Sequence, residues 1–168
     1  YVGLSRYDEQ TLRRATAILE ERHVPYVINQ YRYNLLDRSI ERDGTKAASA
    51  ELGRGIITFS PLAQGLLTDR YLDGVPADSR MAHDPRYLKR SALTGEVHDR
   101  LVRLNEIAQA RSQTLAEMAL AWQLRDPAIT SVLIGASRPE QVLDNIHALE
   151  NRAFSADELA AIDEACLS

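Results

Sequence analysis

Four short, nearly continuous apolar runs constrain this chain more than anything else in it. They are "YVGLS" (1–5), "PYVIN" (25–29), "GIITF" (55–59) and "TSVLIG" (130–135), rich in β-branched residues and lacking the polar alternation of a one-sided strand. Helical segments separate them. In "DEQTLRRATAILEERH", Leu12, Ala15, Ile18 and Leu19 recur at helical spacing, with Asp8 as the expected N-cap. "TKAASAELG" reads as a short helix ended by Gly53. "EVHDRLVRLNEIAQAR" puts Val97, Leu101, Leu104, Ile107 and Ala108 on one face. Three capping boxes are expected, at Thr114 with Glu117, Ser137 with Glu140, and Ser155 with Glu158. Strand–helix alternation with unbroken apolar strands predicts a parallel sheet covered by helices.

In such folds ligands bind at the carboxyl ends of the strands. Here those ends read "SRY", "QYRYN", "SPLAQGLLT" and "GASRPEQ", all polar or glycine-bearing. The segments entering the strands ("RHVP", "GRG", "RDPAI") read as plain connectors. Function is therefore expected on one face. "GASRPEQ" has two readings. Helix-start N–H groups, the Ser137 hydroxyl and the Arg138 guanidinium make a phosphate site; equally, Ser137 is a helix cap and Arg138 a solvated residue. "SPLAQG" reads as a rigid turn, since Pro61 limits the backbone and Gly65 allows an unusual one. Residues 68–95 are too long for a bland connection. They carry Arg70, Arg80, Arg86, Lys89 and Arg90 with Tyr71 and Tyr87, and read either as a clamp for a phosphate-bearing ligand or as a solvated loop.

Other chemistries lack their patterns. The four histidines have no metal-ligand spacing, and there is no Walker A, G-x-G-x-x-G or G-x-S-x-G motif. A net charge of −4 with no block of like charge gives no expectation of nucleic acid or anionic membrane as partner. No apolar run has membrane-span length, and the single cysteine, Cys166, suits a reducing compartment, so a cytoplasmic location is expected.

Taken in order, "GLSRY", "NQYRYNLL", "FSPLAQGLLTDRY…GVPADSR" and "SVLIGASRPEQVLDNI" resemble the second half of an aldo/keto reductase. The branch resembled holds the potassium-channel β-subunits and the bacterial L-glyceraldehyde 3-phosphate reductases. The resemblance covers essentially the whole chain. It implies a (β/α)8 TIM barrel of which residues 1–168 form a single partial domain, the C-terminal half with strands five to eight. The apolar opening, read as a buried strand, is then a cut in or just before strand five.

The resemblance also implies NADPH as cofactor, bound without a Rossmann domain. Ser5, Arg6 and Gln30 would hold the nicotinamide carboxamide and its surroundings, and Phe59 would stack on the ring. Ser60, Pro61, Leu62, Gln64 and Gly65 would line the pyrophosphate path. Arg70 and Arg80 would reach the adenosine-side phosphates. Gly135, Ser137, Arg138 and Gln141 would receive the 2′-phosphate and ribose, and Asp144 and Asn145 the adenine. Three positions depart from the family: Arg6 stands for the commoner Asn, Arg70 for Lys, and Asp144 for the longer Glu. The family's catalytic Asp, Tyr, Lys and His belong to the first half, and none of their motifs occurs here. The expected function is thus the cofactor-binding half of an NADPH-dependent oxidoreductase for small aldehydes and ketones, with no catalytic residue and no activity alone. The alternative is a redox-sensing regulatory subunit of the channel-β type. The expected partner is a small carbonyl substrate, with room for a homo-oligomer of the full-length protein.

Overall fold

The computed structural model describes residues 1–77, 79–83, 86 and 88–167, with the side chains of residues 80 and 167 outside the description. Four strands form one parallel sheet: β1 (Val2–Ser5), β2 (Tyr26–Arg32), β3 (Gly55–Phe59) and β4 (Ile129–Val132), in the order β1-β2-β3-β4. Ser5 pairs in register with Gln30, Arg32 with Phe59, and Thr58 with Val132. Two units partition the chain, residues 1–61 with 123–135, and residues 62–122 with 136–168.

The first unit contains the sheet with α1 (Glu9–Glu21), α2 (Ser39–Arg42) and α3 (Thr45–Glu51). Asp8 caps α1 as expected, its carboxylate accepting the Thr11 N–H at 2.7 Å. The core is built on Leu12, Tyr26 and Ala48, with Leu4, Leu19 and Leu52 packed against it. The face of α1 is set by Leu12 and Thr16, whereas Ile18 points outward at 43% exposure, contrary to the helical stripe drawn through it. A buried relay runs from the Tyr26 hydroxyl to Asn29 and on to the Ser49 hydroxyl at 3.1 Å, tying β2 to α3. The end of α3 is as predicted: Gly53 adopts φ +65°, the left-handed region that favours glycine.

Two strand expectations change. β1 is exposed, with Val2 at 38%, because it lies at a sheet edge and has a neighbour on one side only. β4 stops at Val132; the Leu133 N–H makes one more bond, to the Thr58 carbonyl at 2.8 Å, just before β3 itself ends. Leu133 and Ile134 are therefore exposed rather than strand core.

The second unit holds α4 (Arg80–His83), α5 (Gly95–Ala110), most of α6 (Leu115–Leu124), α7 (Pro139–His147) and α8 (Ala156–Leu167). Leu101, Leu104 and Ala108 of α5 are buried as the spacing predicts, and α5 packs on α8, whose Ile162 and Ala165 are buried. The capping boxes at Thr114/Glu117 and Ser155/Glu158 both form. The long 68–95 segment contains α4 and two 3-10 turns, Asp69–Tyr71 and Arg90–Ala92. Tyr87 lies outside the described residues. Among the described residues, no helix is long and apolar enough to cross a membrane.

Candidate functional site

At the carboxyl ends of β1 and β2 the backbone draws three predicted residues together. The Gln30 carbonyl accepts the Arg6 N–H at 3.0 Å and the Ser5 hydroxyl at 3.3 Å. Arg6 has φ +59°, unusual for a residue with a Cβ, and this bend turns the chain off the sheet directly after Ser5. Ser5 and Arg6 are exposed and Gln30 is half-buried. Phe59 closes β3, half-buried.

The segment after Phe59 is the most unusual backbone among the described residues. Ser60 (φ +53°), Ala63 (+49°), Gln64 (+61°) and Gly65 (+100°) all lie in the left-handed region within six residues, and three of them carry side chains. Each such residue costs roughly 1–2 kcal/mol, so the strain is held in place by surrounding bonds, a pattern that clusters at functional sites. The Asn34 side chain donates to the Ser60 carbonyl at 2.9 Å, and the Gln123 side chain donates to the Pro61 carbonyl at 3.1 Å. Further along, the Gly65 and Leu67 N–H groups both donate to the Leu62 carbonyl, and the Thr68 hydroxyl donates to the Gly65 carbonyl at 2.7 Å. The sequence suggests a rigid turn at 60–65 with an unusual backbone at Gly65; the left-handed conformations of Ser60, Ala63 and Gln64 have no legible signal.

The "GASRPEQ" segment differs from its predicted capping box. Pro139 occupies the first helical position of α7, so Arg138 is the N-cap residue and makes no side-chain cap. Ser137 lies one residue too early. Its N–H and hydroxyl instead donate to the Gln141 Oε1, at 2.8 and 3.1 Å. Ser137 and Gln141 are thereby brought together, and Arg138 is exposed beside them in sequence. Gly135 is exposed, with open space where a Cβ would sit. Asp144 and Asn145 lie on the second turn of α7. Arg70 is exposed in its 3-10 turn, and Arg80 opens α4, its side chain outside the description.

Amide and hydroxyl groups gather at the Ser5–Arg6–Gln30 cluster, an aromatic ring ends β3, and a helix N-terminus carries an arginine and a serine. Tyr26, Tyr31 and Tyr33 are buried, and burial pushes all three phenols above their ordinary range, away from proton transfer near neutrality. No group of three or more His, Cys, Asp or Glu suited to a metal occurs among the described residues.

A cavity of about 850 Å³ opens at the opposite, amino-terminal ends of β3 and β4, beside Lys46, Arg54, Arg125 and Asp126. Lys46, Arg38 and Arg54 in its lining are engaged in ion pairs. Lys46 pairs with Asp126 and Glu41, Arg38 with Glu41, and Arg54 with Glu20. In α/β barrels this end serves stability, and the network bolts α2 and α3 to the turn entering β4.

Comparison with known proteins supplies the remaining evidence. The family model described as Aldo/keto reductase family matches residues 1–166. L-glyceraldehyde 3-phosphate reductase from Escherichia coli K12 is 46% identical over 167 residues, covering 98% of this chain and 48% of that protein; its counterpart from strain O157:H7 gives the same figures. A candidate voltage-gated potassium channel subunit beta from Schizosaccharomyces pombe is 30% identical over 154 residues, covering 89% of the chain and 45% of that protein. The crystal structure of the thermostable aldo-keto reductase Tm1743, in complex with the inhibitor epalrestat, superposes with a TM-score of 0.70 at 25% identity, over 98% of this chain and 48% of that one. The chain thus spans about half the length of the relatives it matches, in keeping with a four-stranded half of a barrel.

Proposed function

The chain belongs to the aldo/keto reductase family, and on that premise we propose that it is the C-terminal, cofactor-binding half of an NADPH-dependent reductase of small aldehydes and ketones. The observation that carries this reading is the left-handed run at Ser60, Ala63, Gln64 and Gly65, directly beyond the carboxyl end of β3. A plain connector has no reason to hold three side-chain-bearing residues in that region. Ser5, Arg6 and Gln30 bind one end of the cofactor, with Phe59 against its ring. Leu62, Gln64 and Gly65, with Ser60 and Pro61, line its middle. Arg70, Arg80, Ser137, Arg138 and Gln141 hold its phosphates, and Asp144 and Asn145 its base. The cofactor supplies hydride when bound. The residues of this chain orient it and neutralise its phosphates; the proton donor for the carbonyl comes from elsewhere. The 46% identity to L-glyceraldehyde 3-phosphate reductase favours a small, phosphorylated aldehyde as substrate. The 168-residue chain alone is then inactive as a reductase.

Selectivity for NADPH over NADH rests on Arg138 and Ser137. Fluorescence titration of Arg138→Ala should show NADPH affinity reduced by about tenfold, the loss of one charge-assisted phosphate contact, with NADH affinity unchanged. Equal loss for both cofactors would remove the 2′-phosphate from this end of the site. The similarity to the channel subunit favours a second reading, a subunit that binds NADPH as a redox sensor. The two readings share the cofactor site and separate on whether the complete protein turns over carbonyl substrates.

A further inference from the structure

Two fully buried amides hold the turn that leaves β3. Asn34 is 0% exposed. Its Oδ1 accepts the N–H groups of Leu36 and Asp37, both at 2.9 Å, and paired backbone bonds between Asn34 and Asp37 at 3.1 Å fix the same turn. Its Nδ2 is left to one task, donating to the Ser60 carbonyl at 2.9 Å. Gln123, also 0% exposed, repeats the arrangement from α6. Its Oε1 accepts the buried Thr58 hydroxyl at 2.9 Å, and its Nε2 donates to the Pro61 carbonyl at 3.1 Å. Each amide is thus anchored at its oxygen by scaffold and working at its nitrogen on the turn.

The two working ends fall on consecutive carbonyls, of a left-handed serine and the proline after it. A carbonyl fixed in direction fixes its whole peptide plane. Holding the Ser60 carbonyl resists relaxation of φ +53° toward the ordinary negative range. Holding the Pro61 carbonyl directs the N–H on the other side of that trans peptide, of Leu62, away from Gln123. Neither amide belongs to the residues assigned above to the cofactor.

We propose that Asn34 and Gln123 are positioning residues that set the Ser60–Pro61 backbone for cofactor binding without touching the cofactor. The proposal rests on the reading that this turn lines the NADPH site, and the test separates the two. Asn34→Asp and Gln123→Glu keep the anchoring oxygens, delete the working N–H groups and set a buried carboxylate oxygen against each turn carbonyl. In the 168-residue chain, each should weaken NADPH binding by about tenfold in fluorescence titration, with the far-UV circular dichroism of the folded protein retained. Ser60→Gly supplies the second arm, because glycine adopts positive φ without cost. If Asn34 holds Ser60 in place, the shift in urea midpoint caused by Asn34→Asp should shrink by at least half in the Ser60→Gly background. Should Asn34→Asp not fold, the Gln123→Glu titration decides alone. Unchanged NADPH affinity in both donor-deleted variants, or strictly additive urea midpoints for Asn34 and Ser60, would overturn the positioning role. Failure of the wild-type chain to bind NADPH would instead sink the cofactor reading on which the role depends, whatever the urea series shows.

Discussion

Arg111 should be the most sensitive single side chain in the second unit. It leaves the C-terminus of α5 with its side chain 3% exposed and meets four partners. Nη1 donates to Glu158 at 2.6 Å, Nε to the Gln113 side chain at 2.9 Å, and Nη2 to the carbonyls of Ala153 at 2.9 Å and Asn151 at 3.2 Å. The guanidinium also lies 3.7 Å from the centre of the Phe154 ring. One cation therefore pins the whole 151–158 stretch that joins α7 to α8. Arg111→Met preserves most of the stem's packing and deletes every donor. Glu158 is 32% exposed and regains water, so the full penalty of a stranded buried charge does not apply. Two carbonyls and the Gln113 oxygen lose a charged donor, and a cation–π contact goes. With hydrogen bonds to charged groups at roughly 1.5–3 kcal/mol and strong non-additivity, a net loss of about 3 kcal/mol follows. For a chain of this size that is a fall in Tm of about 6–12 °C. Urea denaturation followed by circular dichroism measures it directly. Arg111→Lys should recover only about a third, since an ammonium cannot reproduce the planar fork. A Met variant within about 0.5 kcal/mol of wild type, or a Lys variant equal to wild type, would refute the clamp.

Two further outcomes follow from the first unit. A Cβ at Gly55 would lie 2.3 Å from the Thr130 Oγ1 and 2.9 Å from the Ile28 Cδ1, so Gly55→Ala should cost about 1–3 kcal/mol in urea denaturation. Gly95→Ala, at the first turn of α5 with open space around it, should cost nothing. The charge network at the amino-terminal strand ends sets an acid limit. Burial raises the Glu41 and Asp126 carboxyls, but the Tyr33 hydroxyl, Arg38 and Lys46 outweigh it at Glu41, and Lys46 with the Ala128 N–H does so at Asp126, leaving both below their ordinary values. Depressed carboxyl values mean stability that is complete above the unfolded-state values and lost as pH falls through the folded ones. Wild-type stability should drop between about pH 5 and pH 3, and Lys46→Met, less stable at neutrality, should drop less over that window.

The parts of the molecule that propensity and periodicity control were legible in the sequence. Asp8, Thr114 and Ser155 announce helices by local chemistry, and the packed face of α5 follows from spacing alone. Where two local rules compete, reading fails. At Ser137 a capping box and a proline one residue before its glutamate both claim the helix start, and the proline's fixed φ wins. Burial of β1 is not legible, because composition reports that a strand is apolar, not whether a neighbour covers it. The loop motifs behind the proposed site were legible. Its supports were not: Asn34 and Gln123 are 26 and 62 residues from the carbonyls they hold, and only the fold brings such amides to a turn.

The proposed site is selective for a 2′-phosphorylated nicotinamide dinucleotide. Calorimetric titration of the purified 168-residue chain with NADPH, set against the same titration with NADH, tests it most directly. One NADPH per chain should bind saturably, and NADH should bind at least about tenfold more weakly. No saturable NADPH binding by the folded chain, or equal affinity for the two, would contradict it.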